Sequence, residues 1–384
     1  MSSQRIQPAA CRHDTGGWLF PLLATFVVAV FLTLAAAAPV LAQSGTADPS
    51  VTAEQPVGGQ VPGNALGGTN DTEFWKMIRE GQSGTVSQPD KKLGVLVDSS
   101  GENWRSILNG PVKVYGAWII LGMLALLALF YALRGRVPVD GGFSGKTVER
   151  FNGLDRFAHW LSATSFVILA LTGLNLVYGK YFLLPLIGPA AFSWITQAGK
   201  YAHNFVAFAF MAGVVLMFLL WVRFNIPKKH DLTWLAKGGG IFNSKVHPPS
   251  ERFNAGQKVI FWLACLGGVS LSMSGIALLF PYEFGFFAKT FGTLNALGFS
   301  LPAEISPLQE QQLNQIWHSI LAFVLIAVML AHIYIGSVGM QGAFAAMGSG
   351  QVDVNWAEEH HNMWYERLVK EGKAPASSSM HPAE

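Results

Sequence analysis

The sequence predicts an all-α integral membrane protein, and three observations carry that reading. Charged residues make up 13% of the chain and hydrophobic residues 51%, where a soluble domain averages roughly 25% charged. Five apolar runs free of Asp, Glu, Lys and Arg occur at about 114–133, 158–178, 203–222, 259–280 and 316–338. Each is close to the ~20 residues that cross ~30 Å of hydrocarbon as a helix. Within these runs lie four histidines, His159, His203, His318 and His332, nearly the only ionisable groups at that depth.

The N-terminal region has a different character. Residues 1–17 are polar, with Arg5 and Arg12, and 18–38 is apolar and uncharged. Small residues then lead up to Ala42. This three-part layout is that of a secretory signal, so 1–42 is expected to be removed. Residues 43–110 are rich in Gly, Ser, Pro, Thr and Asp, the composition of an exported, partly disordered segment. The remaining divisions are an extra transmembrane helix at 111–136, a four-helix domain at 145–345 and a tail at 346–384.

Loop charge orients the spans. Segment 134–157 holds Arg134, Arg136, Lys146, Arg150 and Arg156, and segment 223–258 holds Arg223, Lys228, Lys229, Lys237, Lys245, Arg252 and Lys258. Loops 179–202 and 281–315 hold only Lys180, Lys200 and Lys289. The positive-inside rule puts the basic segments and the tail in the cytoplasm and 43–110 in the periplasm of a bacterial inner membrane. The signal requires the same.

The two cysteines, Cys11 and Cys265, exclude Cys-ligated iron–sulfur clusters, structural zinc and covalent C-x-x-C-H haem attachment. Redox chemistry here needs another ligand, and the histidines supply it. An ionisable residue inside lipid is expensive and is by default a functional candidate. His159 starts its helix at the cytoplasmic side, and His203 starts the next at the outer side. His318 and His332 share the last helix. Their 14-residue spacing is almost four turns, so both project from one face, separated by about 21 Å. Topology then pairs His203 with His318 at the outer level and His159 with His332 at the inner level. Two bis-imidazole haems match this arrangement. A metal-transport site would gather its ligands at one level. The other class of reading is a haem-free membrane anchor. His230 and His247 in the basic loop, and His360 and His361 in the tail, are expected at the surface.

Residues ~145–370 resemble the gamma subunit (cytochrome b556) of respiratory formate dehydrogenase and, more distantly, the cytochrome b subunits of nickel–iron hydrogenases. The matching pieces are Arg156-Phe-Ala-His159-Trp160, Tyr201-Ala-His203, Arg223-Phe-Asn-Ile-Pro227 and Phe253-Asn254-Ala255-Gly256-Gln257-Lys258 before Phe261-Trp262. They continue with Trp317-His318, Ala331-His332-Ile-Tyr334 and the tail Trp356-Ala-Glu-Glu-His-His-Asn-Met-Trp364-Tyr365. The resemblance implies a four-helix di-haem cytochrome b bundle, here with one additional N-terminal transmembrane helix. It implies two haem b groups with the pairings above, and a menaquinone or ubiquinone site formed by His332, Asn254, Gly256 and Gln257. Asn254 and Gln257 can donate hydrogen bonds to a quinone carbonyl, and glycine permits close approach. Read by itself, without the resemblance, Phe-Asn-Ala-Gly-Gln is better taken as an interfacial turn entering the helix at 259–280. The implied partners are a molybdopterin formate dehydrogenase alpha subunit, an iron–sulfur beta subunit, quinone and lipid, with no nucleic acid. Without molybdopterin or ferredoxin-like motifs, this chain is not the formate-oxidising subunit. Trp160 and Trp317 are expected against a porphyrin or in an interfacial belt.

Overall fold

The computed structural model describes residues 84–85, 95–97, 100–241 and 246–375. The expected signal, most of segment 43–110 and the end of the tail lie outside the described residues, as do His13, Lys245 and His381. In an apolar solvent the backbone has only itself to bond, so each uncharged run closes its hydrogen bonds as helix.

A short ribbon, β1 (Gly84–Thr85) paired with β2 (Val95–Val97), precedes α1 (Ser100–Ile107). A π turn at Leu108–Val112 joins α1 to α2 (Lys113–Arg134) without a stop. The helix therefore begins at Ser100, ahead of the expected boundary at 111. Pro111 lacks an N–H, and the wider π turn carries the chain past it.

After β3 (Thr147–Glu149) comes α3 (Gly153–Trp221), a helical stretch of 69 residues. As one rod it would be about 100 Å long. Gly188 prevents that: it adopts φ 75° and ψ 167° between Pro185 and Pro189, and the chain reverses. The two limbs run antiparallel. Trp221 Nε1 donates to Asp155 Oδ1 at 2.7 Å near one end, and Asn175 Nδ2 donates to Thr196 Oγ1 at 3.1 Å towards the other. The expected loop 179–202 is thus helix apart from its break, because it has no cluster of polar turn residues to end one.

Next are α4 (Lys229–Ala236), α5 (Ala255–Trp262) and α6 (Gly268–Leu279). A π turn at Leu263–Gly267 fuses α5 and α6 into one span of 25 residues. The expected loop 281–315 contains α7 (Phe286–Ala296), whose first N–H groups at Phe287 and Ala288 donate to the buried Glu310 carboxylate. α8 (Pro307–Tyr334) starts with Pro307 behind the Ser306–Gln309 capping box. It packs against α2 and α6, and α6 packs against α3. Four stretches, Gly101–Arg134, Gly153–Phe224, Ala255–Leu279 and Pro307–Gly339, are long and apolar enough to span a bilayer. The second does so twice.

The tail departs from expectation. α9 (Ala345–Gly348), β4 (Gln351–Asp353), α10 (Val354–His360) and α11 (Asn362–Lys370) fold back under the bundle. β4 pairs with β3 antiparallel, Val352 opposite Val148. A compact core forms there from Val148, Phe151, Trp221, Phe253, Val352, Trp356, Trp364 and Tyr365. Arg252 bonds Asp155 at 2.8 Å, and Lys258 bonds Asp231 at 2.7 Å with both side chains buried. The basic segments and the tail thus form one folded cap. Apolar residues of α2 such as Trp118, Leu126 and Leu133 are exposed on the protein surface, as lipid-facing residues should be.

Candidate functional site

α8 presents His318 and His332 to the two limbs of α3. His203 and His318 have ring centroids 6.3 Å apart with planes at 62°, and His159 and His332 have centroids 6.2 Å apart with planes at 59°. These are the two pairs expected from topology. Two imidazoles that share one first-row metal, each through a ring nitrogen at about 2.0 Å, have centroids about 6 Å apart. Both pairs have the spacing a shared metal needs.

Hydrogen bonds set the tautomer of the His203–His318 pair. The single hydrogen of Thr172 Oγ1 goes to Ile168 O at 2.7 Å, so this oxygen accepts from His203 Nδ1 at 2.9 Å. Ser274 Oγ donates to Leu271 O at 2.9 Å and likewise accepts from His318 Nδ1 at 3.0 Å. Both rings therefore carry their lone pair on Nε2, the neutral form that ligates a metal. The next residue is glycine in each case. A Cβ on Gly173 would lie 3.4 Å from His203 Cε1, and one on Gly275 would lie 3.3 Å from His318 Cε1. Thr172-Gly173 and Ser274-Gly275 were not among the expected site residues. The available signal was a hydroxyl–glycine dipeptide inside each of two spans.

The His159–His332 pair differs. His159 Nδ1 is buried without a hydrogen-bond partner among the described residues, and its ring meets Trp160 edge-on at 5.3 Å. Trp160 Nε1 donates to Met347 O at 2.9 Å, while Trp317 Nε1 donates to Ser270 Oγ at 2.9 Å. The pair opens on a cavity of about 1710 Å³ that reaches into the cap. Small-molecule sites usually occupy roughly 300–1,000 Å³, so this cavity has room for more than one ligand.

Asn254, Gly256, Gln257 and His332 all line that cavity. Asn254 Oδ1 accepts from Gln257 N at 2.9 Å and Gln257 Oε1 accepts from Asn254 N at 3.2 Å, closing a capping box on α5. Gln257 Oε1 also accepts from Arg150 Nη2 at 3.0 Å. The turn and the cavity wall are one structure: the carboxamide oxygens cap the helix, and the NH2 groups are the donors left for a ligand. Gly256 admits Trp234, whose Cη2 would lie 2.9 Å from a Cβ there.

The surface expected for His360 and His361 is not what the cap gives them. His361 is fully buried and His360 half-buried, and both line the cavity with His247. Burial pushes the His360 imidazole down to about 4 and the His361 imidazole well below its usual range. Burial, then the Arg252 charge, lowers the Arg150 guanidinium to about 9. Sequence position alone made the tail look solvated. The Trp356, Trp364 and Tyr365 around these histidines were the signal that it packs.

Residues 150–350, just over half of the chain, match the family described as prokaryotic cytochrome b561. The chain is 28% identical over 225 residues to the cytochrome b556(fdo) subunit of formate dehydrogenase from Escherichia coli (strain K12), covering 58% of this chain and 94% of that one. It is 27% identical over 233 residues to the nitrate-inducible cytochrome b556(Fdn) subunit of the same strain, with 59% and 93% covered. It is also 27% identical over 222 residues to a formate dehydrogenase cytochrome b556 subunit of Haemophilus influenzae, with 56% and 80% covered. The chain belongs to the prokaryotic cytochrome b561 family, integral inner-membrane electron-transfer proteins that carry haem b.

Proposed function

We propose that this chain is the membrane cytochrome b subunit of a formate dehydrogenase, conducting electrons from catalytic and iron–sulfur subunits through two b haems to quinone. The observation that supports it best is the pair of histidine pairs, at metal-sharing distance on two levels of one helix. The formate link rests on relatives named as formate dehydrogenase subunits.

In this reading His203 and His318 hold the outer haem, and His159 and His332 the inner one. When bound, haem b supplies a one-electron Fe(III)/Fe(II) couple. Thr172 and Ser274 hold the outer imidazoles in the ligating tautomer. Asn254 and Gln257 donate to a quinone carbonyl while Gly256 and Trp234 shape its ring slot, with His332 at the boundary between haem and quinone. The basic segments and tail lie in the cytoplasm and 43–110 in the periplasm. Electrons moving inward with protons consumed inside would build membrane potential. Alpha and beta subunits dock on the periplasmic side.

A reduced-minus-oxidised spectrum with haem quantification on the purified chain tests the cofactor. Two b haems per chain support the reading, and the absence of a b-type α band would leave a haem-free anchor. Co-purification with a molybdopterin subunit, rather than a nickel–iron one, tests the partner.

A further inference from the structure

Among the described residues, eleven side-chain nitrogens or oxygens are buried without a hydrogen-bond partner. Six of them belong to residues around one cavity: His159 Nδ1, Arg150 Nε, Arg156 Nε, Trp356 Nε1, His360 Nε2 and His361 Nε2. Orphaned buried polar atoms are costly and rare. Their concentration points to a polar occupant, and the cap side of the cavity holds most of them.

The two tail histidines differ in what they can do. His361 Nδ1 lies 2.6 Å from Glu251 O. A carbonyl only accepts, so Nδ1 keeps its hydrogen and Nε2 is an acceptor with its orientation fixed. His360 meets Trp356 edge-on with centroids at 5.3 Å, and its free Nε2 belongs to the cavity wall. Next to it are His247 and Asp140, both about one third exposed, with His247 Nε2 3.6 Å from Asp140 Oδ2. Their charges act on the His360 ring. Glu359 holds this corner together by accepting from the N–H groups of Asp140 and Gly141 at 3.0 Å each. Arg150, with no carboxylate partner among the described residues, completes the wall.

Resting on the quinone-reducing reading above, we propose that His360 is the proton donor to bound quinone, resupplied from the cytoplasm through His247 and Asp140. Quinone reduction takes two electrons and two protons and yields quinol. Electrons come from the haems; each proton leaves the imidazolium of His360 for a quinone oxygen and is replaced from Asp140–His247. Charge arriving on the quinone raises the proton affinity of His360 at that moment, against a resting state that keeps it neutral. His361 Nε2 accepts from, and so orients, an intervening water or the hydroxyl of the quinol as it forms. Arg150 offsets the negative charge as it develops.

The test uses the purified, haem-loaded full chain, reduced and then mixed with a soluble quinone while the α band is followed. General acid catalysis contributes about 10²–10⁴-fold, so His360→Ala should slow reoxidation at least a hundredfold at neutral pH. Added imidazole should restore it, and affinity for quinone in the oxidised protein should stay within about twofold. Asp140→Asn should slow the same step and shift its pH profile, although Asp140 is not among the residues that line the cavity. His360→Gln, with a normal haem spectrum, controls for collapse of the cap. Reoxidation of His360→Ala and His360→Gln at the unaltered rate across pH 5–9 would overturn the assignment. If the unaltered chain itself were not reoxidised by quinone, the quinone-reducing function would fall instead.

Discussion

The two histidine pairs have nearly the same ring spacing and lie in very different surroundings. His203 and His318 are each held by a hydroxyl from the preceding span and faced by a glycine. Their environment is built from helices alone. Among the described residues no hydroxyl bonds His159 or His332, and the pair borders a large cavity whose far wall is the folded tail. In the proposed reading, one pair is a closed relay point and the other an exchange point. A ligand that only passes electrons needs rigidity and a fixed tautomer. A site that hands electrons to a diffusing substrate needs volume, donors and access to protons.

The largest effects should come from the pairs themselves. His318→Ala should remove the outer haem and His332→Ala the inner one, each halving the haem found per chain. Loss of both haems from either variant would mean the levels are not independent. At the exchange point, Asn254→Ala removes a helix cap as well as a donor, a structural cost of about 0.5–2 kcal/mol. Asn254→Ser keeps a capping oxygen and is the cleaner variant. It should retain both haems and reduce quinone roughly tenfold to a hundredfold more slowly, as expected for losing a hydrogen bond worth about 1–3 kcal/mol; an undiminished rate would remove Asn254 from the site.

At the relay point, Ser274→Ala should weaken retention of the outer haem by about tenfold or more, measured by haem loss to apomyoglobin. It should also raise that haem's midpoint potential, because a less basic imidazole stabilises the ferric state less, and leave the inner haem unchanged. Equal shifts at both haems would erase the distinction drawn here. The smallest effect is on the cap. His360 and His361 are kept neutral by burial, so the unfolded chain binds protons first as pH falls below about 6.5. Cap stability should be complete above that value and decline towards about 4, the value for His360. Hydrogen-exchange protection factors over residues 351–370, with the acid slowing of intrinsic exchange divided out, should therefore fall between pH 6.5 and 5.

Much of the helical frame was legible because lipid leaves few options: an uncharged run near twenty residues has to be a helix, and the backbone cannot do otherwise. The histidine pairs were legible for a related reason. Antiparallel spans and a 14-residue spacing convert sequence position into depth. Where solvent or a small interface decides, reading by position failed. The helix start at Ser100, the α7 helix in an expected loop and the burial of His360 and His361 all lie outside the spans. In those places several backbone and side-chain solutions have similar free energy.

The sequence by itself determined the membrane class, the helices and which histidines meet, since periodicity and hydropathy act locally and the bilayer acts uniformly. Only the tertiary structure decided what surrounds each pair. Thr172 and Ser274 reach their histidines across helices, 31 and 44 residues distant in the chain. The tail returns past the whole domain to face Asn254 and Gln257 across one cavity. Such contacts depend on side-chain packing between elements far apart in sequence, and no local pattern encodes them.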